Sequence, residues 1–533
     1  MHETILLFLA LLLIVSLLVM LAQRLNISYP IFLVLGGLVI SFIPGLPRID
    51  LDPDIIFLIF LPPLLYEAAW FTSWKEFWKW RRIISMLAFG LVIITSCVVA
   101  FVSNALIPGF TLALGFLLGG IISPPDAVAA TSVLKGIKVP RVVTAILEGE
   151  SLINDASSLT VFRFALAAVL SGSFVFHEAA TSFMMLTVMG VMIGLAVAHV
   201  FYAIHRWLPT TSSIDTALTF VAPYLMYLTA EQFHYSGVMA VVSGGLFLSF
   251  RNHEFFTHSS RLQALNAWAT VSFVLNGVVF ILIGLELPTI VEGLGDYSKV
   301  EAIKYGLIIS AIVIVTRLLV AQLSALFTRL VSRWISVSDA KPGWRNPVII
   351  GWAGMRGVVS LASALSIPLL AEDGTPFPQR NLILFITFVV ILVTLVLQGL
   401  TLPLIIRWVN PREREGTVRE EEQDATVRLK LLNVSLTYLN EHYAVETEKN
   451  ELVANLKTRM ESDVHLTNER LDSLEDCRRD NTIDRFREVV IDVIEVQRKE
   501  LYRLGRETEF SDEVIRRHEA QLDLEEEKIS KDE

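Results

Sequence analysis

Runs of roughly 17 to 25 predominantly apolar residues recur about thirteen times between residues 4 and 408, and each can cross a hydrocarbon core ~30 Å thick. With no water at that depth, the backbone of each run must satisfy its own polar groups, which makes helices the spanning element. The runs lie near 4–22, 28–46, 54–72, 82–107, 111–134, 142–171, 180–206, 215–233, 236–251, 266–291, 302–333, 346–370 and 381–408. With 53% of 533 residues hydrophobic and only 18% charged, the chain is too apolar for a soluble protein of this size. The expected fold is an all-α polytopic membrane protein, with the bilayer as its surroundings. The first run follows His2 and Glu3 rather than a basic leader, so it is read as a retained helix and not a cleaved signal.

The net charge of -10 hides two different regions, because 33 of the 54 acidic residues lie after residue 410. Residues 1–410 are read as a membrane domain and 411–533 as a charged tail. Within the first region Lys and Arg collect in alternate loops: Arg24; Lys75, Lys79, Arg81 and Arg82; Lys135, Lys138 and Arg141; Arg206; Arg251 and Arg261; Arg329, Arg333, Lys341 and Arg345. The loops between carry few, chiefly Arg48, Lys299, Lys304 and Arg380. The positive-inside rule then places the amino terminus outside and the tail in the cytoplasm of a cytoplasmic (inner) membrane. In the tail, apolar residues recur among charges at 429–443 and 486–504, which predicts amphipathic helices, while the last twenty or so residues read as frayed.

Two apolar runs are interrupted. The fifth reads GGIISPPDAVAATSVL, where Pro124 and Pro125 remove successive amide donors, and the twelfth reads GWAGMRGVVSLASALSIP, with Gly351, Gly354 and Gly357 around Arg356. Broken helices at corresponding places in two halves mark the binding site of inverted-repeat transporters. Runs five and twelve are seven apart, which fits two inverted six-helix repeats, with the broken helices crossing. The third run, FLPPLLYEAAW, is also read as broken at Pro62-Pro63, just before Glu67.

Run six carries the chemistry. GESLINDASSLTVFR puts Glu150, Ser151, Asn154, Asp155 and Arg163 where a bilayer admits charge only at a cost of roughly 2.5–3.5 kcal/mol each. Glu150 with Asn154, and Ser151 with Asp155, are spaced by four, so they share a helix stripe that Ser158 extends. From a helix start near residue 142, Asp155 lies about 20 Å along the axis, near mid-bilayer, and Asp126 falls at a similar depth counted from residue 111. A dehydrated Na+ needs several oxygens and compensating negative charge; Asp155, Ser151 and the carbonyls freed between Ser123 and Asp126 can supply them. Burial also favours the neutral acid, so Asp155 can hold a proton instead. One carboxylate that takes either ligand, never both, forces exchange.

The other intramembrane charges have structural readings. Arg317 sits in the middle of run eleven and can offset the desolvation of Glu150. Arg356 can balance peptide dipoles where half-helices face each other. Arg163 reads as snorkelling to the interface. Glu67 can gather cations on the cytoplasmic side of a pathway. His177, His199, His205, His234, His253 and His258 show no metal-ligand spacing and are given no chemistry, and Cys97 and Cys477 indicate no disulfide framework.

GESLINDASSL, SPPDAVAA, FLPPLLYEAAW, FILIGLELP and GWAGMRGVVSLA together resemble the monovalent cation:proton antiporter-1 family of bacterial Na+/H+ exchangers, over most of residues 1–410. The resemblance implies a core domain moving against a dimerisation domain, homodimers, and Na+ and H+ as substrates. It casts Asp155 as the ion- and proton-binding carboxylate, Asn154 as its positioning partner, and Ser151, Ser123 and Asp126 as further ligands. It also casts Glu150, Arg317 and Asn154 as a buried stabilising network. Relatives often carry Thr where this chain has Pro125. Electrogenic relatives carry two adjacent aspartates where this chain has Asn154-Asp155, so electroneutral exchange is expected.

Three rival classes are weaker. Gly293-Leu294-Gly295-Asp296 spells the G-x-G-D of an intramembrane aspartyl protease, but in a polar loop beside Glu292. A cation channel needs a continuous lined pore, and a non-transporting ion or pH sensor with the same fold would not need Asp155. The chain is expected to be no enzyme, to need no cofactor and to bind no nucleic acid; the tail's partner is unspecified.

Overall fold

The computed structural model describes residues 2–43, 53–135, 137–172, 176–294, 297–331, 343–371, 375–411, 420–475, 481–504 and 512–530. Arg48, Arg333, Lys341, Cys477 and the Gly295-Asp296 end of the G-x-G-D string lie outside them. The chain divides into two compact units, Met1–Arg412 and Glu413–Glu533.

The first unit runs α1 (His2–Arg24), α2 (Tyr29–Ser41), α3 (Pro53–Phe71), α4 (Trp74–Ser85), a π-helical turn at Met86–Leu91, α5 (Val92–Leu106), α6 (Leu112–Ile122), α7 (Ala127–Leu134) and α8 (Arg141–Ser171). It continues through α9 (Phe176–Trp207), α10 (Ser212–Gln232), α11 (Gly237–Phe255), α12 (His258–Leu285), α13 (Leu287–Gly293) and α14 (Lys299–Val331). It closes with α15 (Arg345–Trp352), α16 (Val358–Leu365), α17 (Arg380–Val393), a second π-helical turn at Thr394–Gln398, and α18 (Gly399–Val409). Helix is present in every apolar run, and among the described residues eight helical spans, four of them made of consecutive helices, are long and apolar enough to cross a membrane.

Run three differs from its expectation. Helix α3 passes through Pro62 and Pro63 without a break. A proline at 63 cannot donate to the carbonyl four residues earlier, and that carbonyl, Ile59 O, accepts from the Tyr224 hydroxyl of α10 at 3.1 Å. A neighbouring helix thus satisfies the group that proline frees.

Close helix contact comes from small residues. Helices α2 and α12 meet where a Cβ on Gly37 would lie 2.4 Å from Ile281 O and one on Gly284 would lie 2.3 Å from Val34 O. Backbone cannot yield as a side-chain tip does. Gly284→Ala is therefore expected to push the helices apart at a cost of about 1–3 kcal/mol, read as a lower unfolding midpoint in detergent. An unchanged midpoint would show that this contact is not tight in the folded protein.

The apolar core falls into two clusters. One collects α1, α2, α4 to α7, much of α8, Val279, Phe280, Ile281 and Ile283 of α12, and α13 to α18; the other collects α3, α9 to α11 and Trp268 of α12, and takes Leu152 and Ala156 from α8. In the second cluster His205, given no chemistry above, is buried: its Nδ1 lies 2.8 Å from Asp215 Oδ1, and Ser260 Oγ donates to Asp215 Oδ2 at 2.7 Å. This chain of bonds ties together one end each of α9, α10 and α12.

The second unit comprises α19 (Glu420–His442), α20 (Ala444–Lys449), α21 (Glu451–Glu475), α22 (Asn481–Leu504) and α23 (Asp512–Ser530). The last helix corrects the frayed reading of the carboxy-terminal twenty residues. Arg498 of α22 pairs with both Asp523 and Glu526 of α23, a cross-helix contact that composition does not reveal.

Candidate ion-binding site

Helix α6 stops at Ile122 because Pro124 and Pro125 offer no amide donors to continue it. Asp126 restarts the chain as the N-cap of α7, its Oδ1 accepting from Val128 N at 2.8 Å. The second break, between α15 and α16, lies directly against the first: Asp126 N donates to Met355 O at 2.7 Å. Gly357 has no side chain to intervene; a Cβ there would sit 1.8 Å from Asp126 Oδ2. The Asp126 carboxylate consequently faces the N-terminal ends of both α7 and α16, where Ala129 N and Val358 N also point at it. Negative charge is favoured at helix N-termini, so Asp126 is compensated where it stands.

Arg356 performs the opposite task. Its Nε donates to Ile122 O at 2.9 Å and its Nη2 to Ser123 O at 3.4 Å, at the C-terminal end of α6, and Nη1 donates to Gly354 O just past α15. Its backbone N donates to Thr394 Oγ1 at 3.1 Å, a group presented by the second π-helical turn. The crossing therefore has a cation against two helix C-termini and an anion against two N-termini.

Helix α8 carries its polar stripe into this crossing. Asn154 Nδ2 donates to Pro125 O at 2.9 Å, and Ser151 Oγ accepts from Ala127 N at 3.3 Å, so two side chains hold the first break against α8. Ser157 Oγ donates to Ala88 O at 2.6 Å, a carbonyl in the first π-helical turn. Glu150 and Arg317 form a two-pronged ion pair at 2.6 and 2.9 Å, each side chain 1% exposed, and Arg317 Nε reaches Ile350 O at 3.3 Å. Asn154 is not joined to that pair by any hydrogen bond among the described residues; its amide serves the first break instead.

Asp155 stands apart from these pairings. No hydrogen bond or ion pair engages its carboxylate among the described residues, and it lines a cavity of ≈ 80 Å³ with Ser151, Asp126, Pro125, Ser360 and Asn276. That volume holds several water molecules. The structure thus brings Asp155, Ser151 and Asp126 to one cavity. It does not bring Ser123 there: Ser123 Oγ donates to Gly120 O at 3.3 Å and its carbonyl serves Arg356. The carbonyls of Ile122, Ser123 and Pro125 are all taken by protein donors, so this break offers a cation fewer backbone oxygens than its prolines suggested. Glu67 is half-buried on α3, an electrostatic neighbour of Glu148, and lies outside the cavity lining.

Sequence reasoning missed Ser360 and Asn276, two neutral side chains within apolar helical segments. It also missed the partner of Arg163, a half-exposed side chain whose Nη2 donates to both carboxylate oxygens of Glu231 on α10 at 2.9 Å, while Glu231 Oε1 accepts from Gly237 N at 3.3 Å. Arg163 and Glu231 are 68 residues apart, so no local pattern announces the pair.

Comparison with known proteins points to one family. The family described as sodium/hydrogen exchanger, transmembrane, matches residues 9–408. A sodium, potassium, lithium and rubidium/H+ antiporter of Bacillus subtilis is 33% identical over 444 residues, 79% of this chain and 65% of its own length. The chain therefore spans slightly less than two thirds of that relative. The Na+/H+ antiporter ApNhaP of Aphanothece halophytica is 30% identical, covering 82% of this chain and 79% of its own. Among solved structures, the sodium proton antiporter MjNhaP1 of Methanocaldococcus jannaschii superposes with a TM-score of 0.57 at 19% identity, over 76% of this chain and 99% of that one.

Proposed function

Because the chain belongs to the sodium/hydrogen exchanger family, we propose that it exchanges an alkali cation, Na+ foremost, for H+, one for one, at Asp155. One observation carries this reading. Of the acidic groups gathered at the helix crossing, Glu150 is neutralised by Arg317 and Asp126 is compensated by two helix N-termini, whereas Asp155 opens on a cavity with no protein partner among the described residues. A dehydrated cation and a proton compete for that carboxylate, and Ser151 adds a neutral oxygen to the cation's shell. Asp126 contributes fixed negative potential.

The cavity lies between the two apolar clusters, and alternating access follows if the cluster holding both breaks shifts against the other. The distribution of Lys and Arg favours an outside amino terminus and a cytoplasmic tail in the cytoplasmic membrane. The homodimer remains part of this proposal through the family alone.

The test is exchange in proteoliposomes carrying a pH-sensitive dye, with Na+, Li+ and K+ compared. Na+ is expected to dissipate an imposed pH gradient. Since one carboxylate accepts either one cation or one proton, clamping the membrane potential at different values with K+ and valinomycin should leave the initial Na+-driven rate unchanged. A rate that follows the potential would mean that more than one charge moves per cycle. Inactivity with all three cations would remove the exchange reading itself.

A further inference from the structure

Serines inside these helices have a habitual partner. Ser103, Ser243 and Ser310 donate to the carbonyl four residues back, and Ser157, Ser158, Ser324 and Ser366 to the one three back. Ser360 is an exception. It is the third residue of α16, so the residues three and four before it, Gly357 and Arg356, belong to the unwound segment and not to a helical turn. Its hydroxyl is buried, with the residue only 1% exposed, and finds no hydrogen-bond partner among the described residues.

Several other buried polar atoms share that condition, including the helical serines Ser96 and Ser272, Tyr66 Oη, Thr387 Oγ1 and the Gln398 amide. Of that set, Ser360 alone lines the cavity that holds Asp155, Ser151 and Asp126. A buried hydroxyl without a partner is unfavourable, and a cation in the cavity is a partner that its lone pairs can take.

We infer that Ser360 is a ligand for the transported cation, supplying from the second broken helix a neutral oxygen beside the first break, where the Ile122, Ser123 and Pro125 carbonyls already accept from protein donors. This deepens the proposed exchange at Asp155 and rests on it. The transported ion would then be gripped from both sides of the crossing: by Asp155 and Ser151 on α8, and by Ser360 on α16. A ligand at a fixed position on a short helix is also a specificity element, because a hydroxyl that suits Na+ is placed differently from one that suits K+.

The test compares wild type, Ser360→Ala, Ser360→Thr and Asp155→Asn in the same proteoliposomes, with purified protein checked for cation-dependent thermal stabilisation. Ser360→Ala is expected to raise the apparent KM for Na+ about five- to ten-fold with the maximal rate retained, to change the ratio of KM values for Na+, Li+ and K+, and to reduce stabilisation by Na+. Its unfolding midpoint without added cation should not fall, because the substitution deletes an unpartnered polar atom. Ser360→Thr keeps the hydroxyl and should stay near wild type in KM. Unchanged KM values and unchanged cation stabilisation in Ser360→Ala, with Asp155→Asn inactive, would overturn the role of Ser360 and leave the exchange reading standing. Continued exchange by Asp155→Asn would sink that reading instead.

Discussion

Asp155→Asn is expected to reduce cation-driven proton movement to the level of protein-free vesicles, a loss of at least ~100-fold. The substitution keeps the shape of the side chain and removes the carboxylate at the cavity that no protein donor or helix end compensates among the described residues. It also removes an unpaired charge from a low-dielectric setting, so the variant should fold at least as well as wild type. This combination of full stability and no transport separates a site residue from a structural one. Asp155→Glu tests geometry at constant charge: Ser151 and Ser360 are placed for the shorter side chain, and a partial loss of rate is the expected outcome. Retained exchange in Asp155→Asn would move the proton and the cation to another group.

Arg317→Ala should behave in the opposite way. The Glu150–Arg317 pair is almost completely buried, and removing the guanidinium leaves a carboxylate with nothing to balance it, at a cost of about 3–5 kcal/mol. The guanidinium also holds Ile350 O near the end of α15, so the second break loses support at the same time. The expected readout is a sharp fall in monodisperse protein and in unfolding midpoint, with the apparent KM for Na+ in the surviving fraction close to wild type. Replacing both partners, Glu150→Leu with Arg317→Met, should recover most of the stability, since two apolar side chains need no mutual compensation. A KM effect larger than the stability effect would place Arg317 at the ion site.

The breaks could be foreseen because their cause is local: prolines at 124 and 125, and glycines at 351, 354 and 357, leave their mark in the sequence itself. The Glu150–Arg317 pair could be foreseen for a different reason, since two opposite charges in separate apolar runs constrain each other wherever the runs lie. What could not be foreseen depends on azimuth. Whether Asp126 points into a cavity or caps two helices, whether Ser360 faces a carbonyl or a void, and whether Arg163 finds Glu231 are settled by helix rotation. Composition is nearly silent on rotation when every face of a helix is apolar. Pro62 and Pro63 misled for the same reason. The residue that rescues the helix, Tyr224, lies on a distant segment.

The two π-helical turns have a consequence for how this protein can move. One presents Ala88 O to Ser157, and the other presents Thr394 to the backbone of Arg356. Each turn is a widened coil that stitches a long flanking helix to the crossing, one at the level of the Asp155 helix and one at the second unwound strand. A displacement of α8 alone would break the Ser157–Ala88 bond, so these contacts favour the stitched helices moving together. Because Leu61 and Leu65 of α3 line the Asp155 cavity from the other apolar cluster, a shift of one cluster against the other would change that far wall of the pocket and leave the Asp155 side intact.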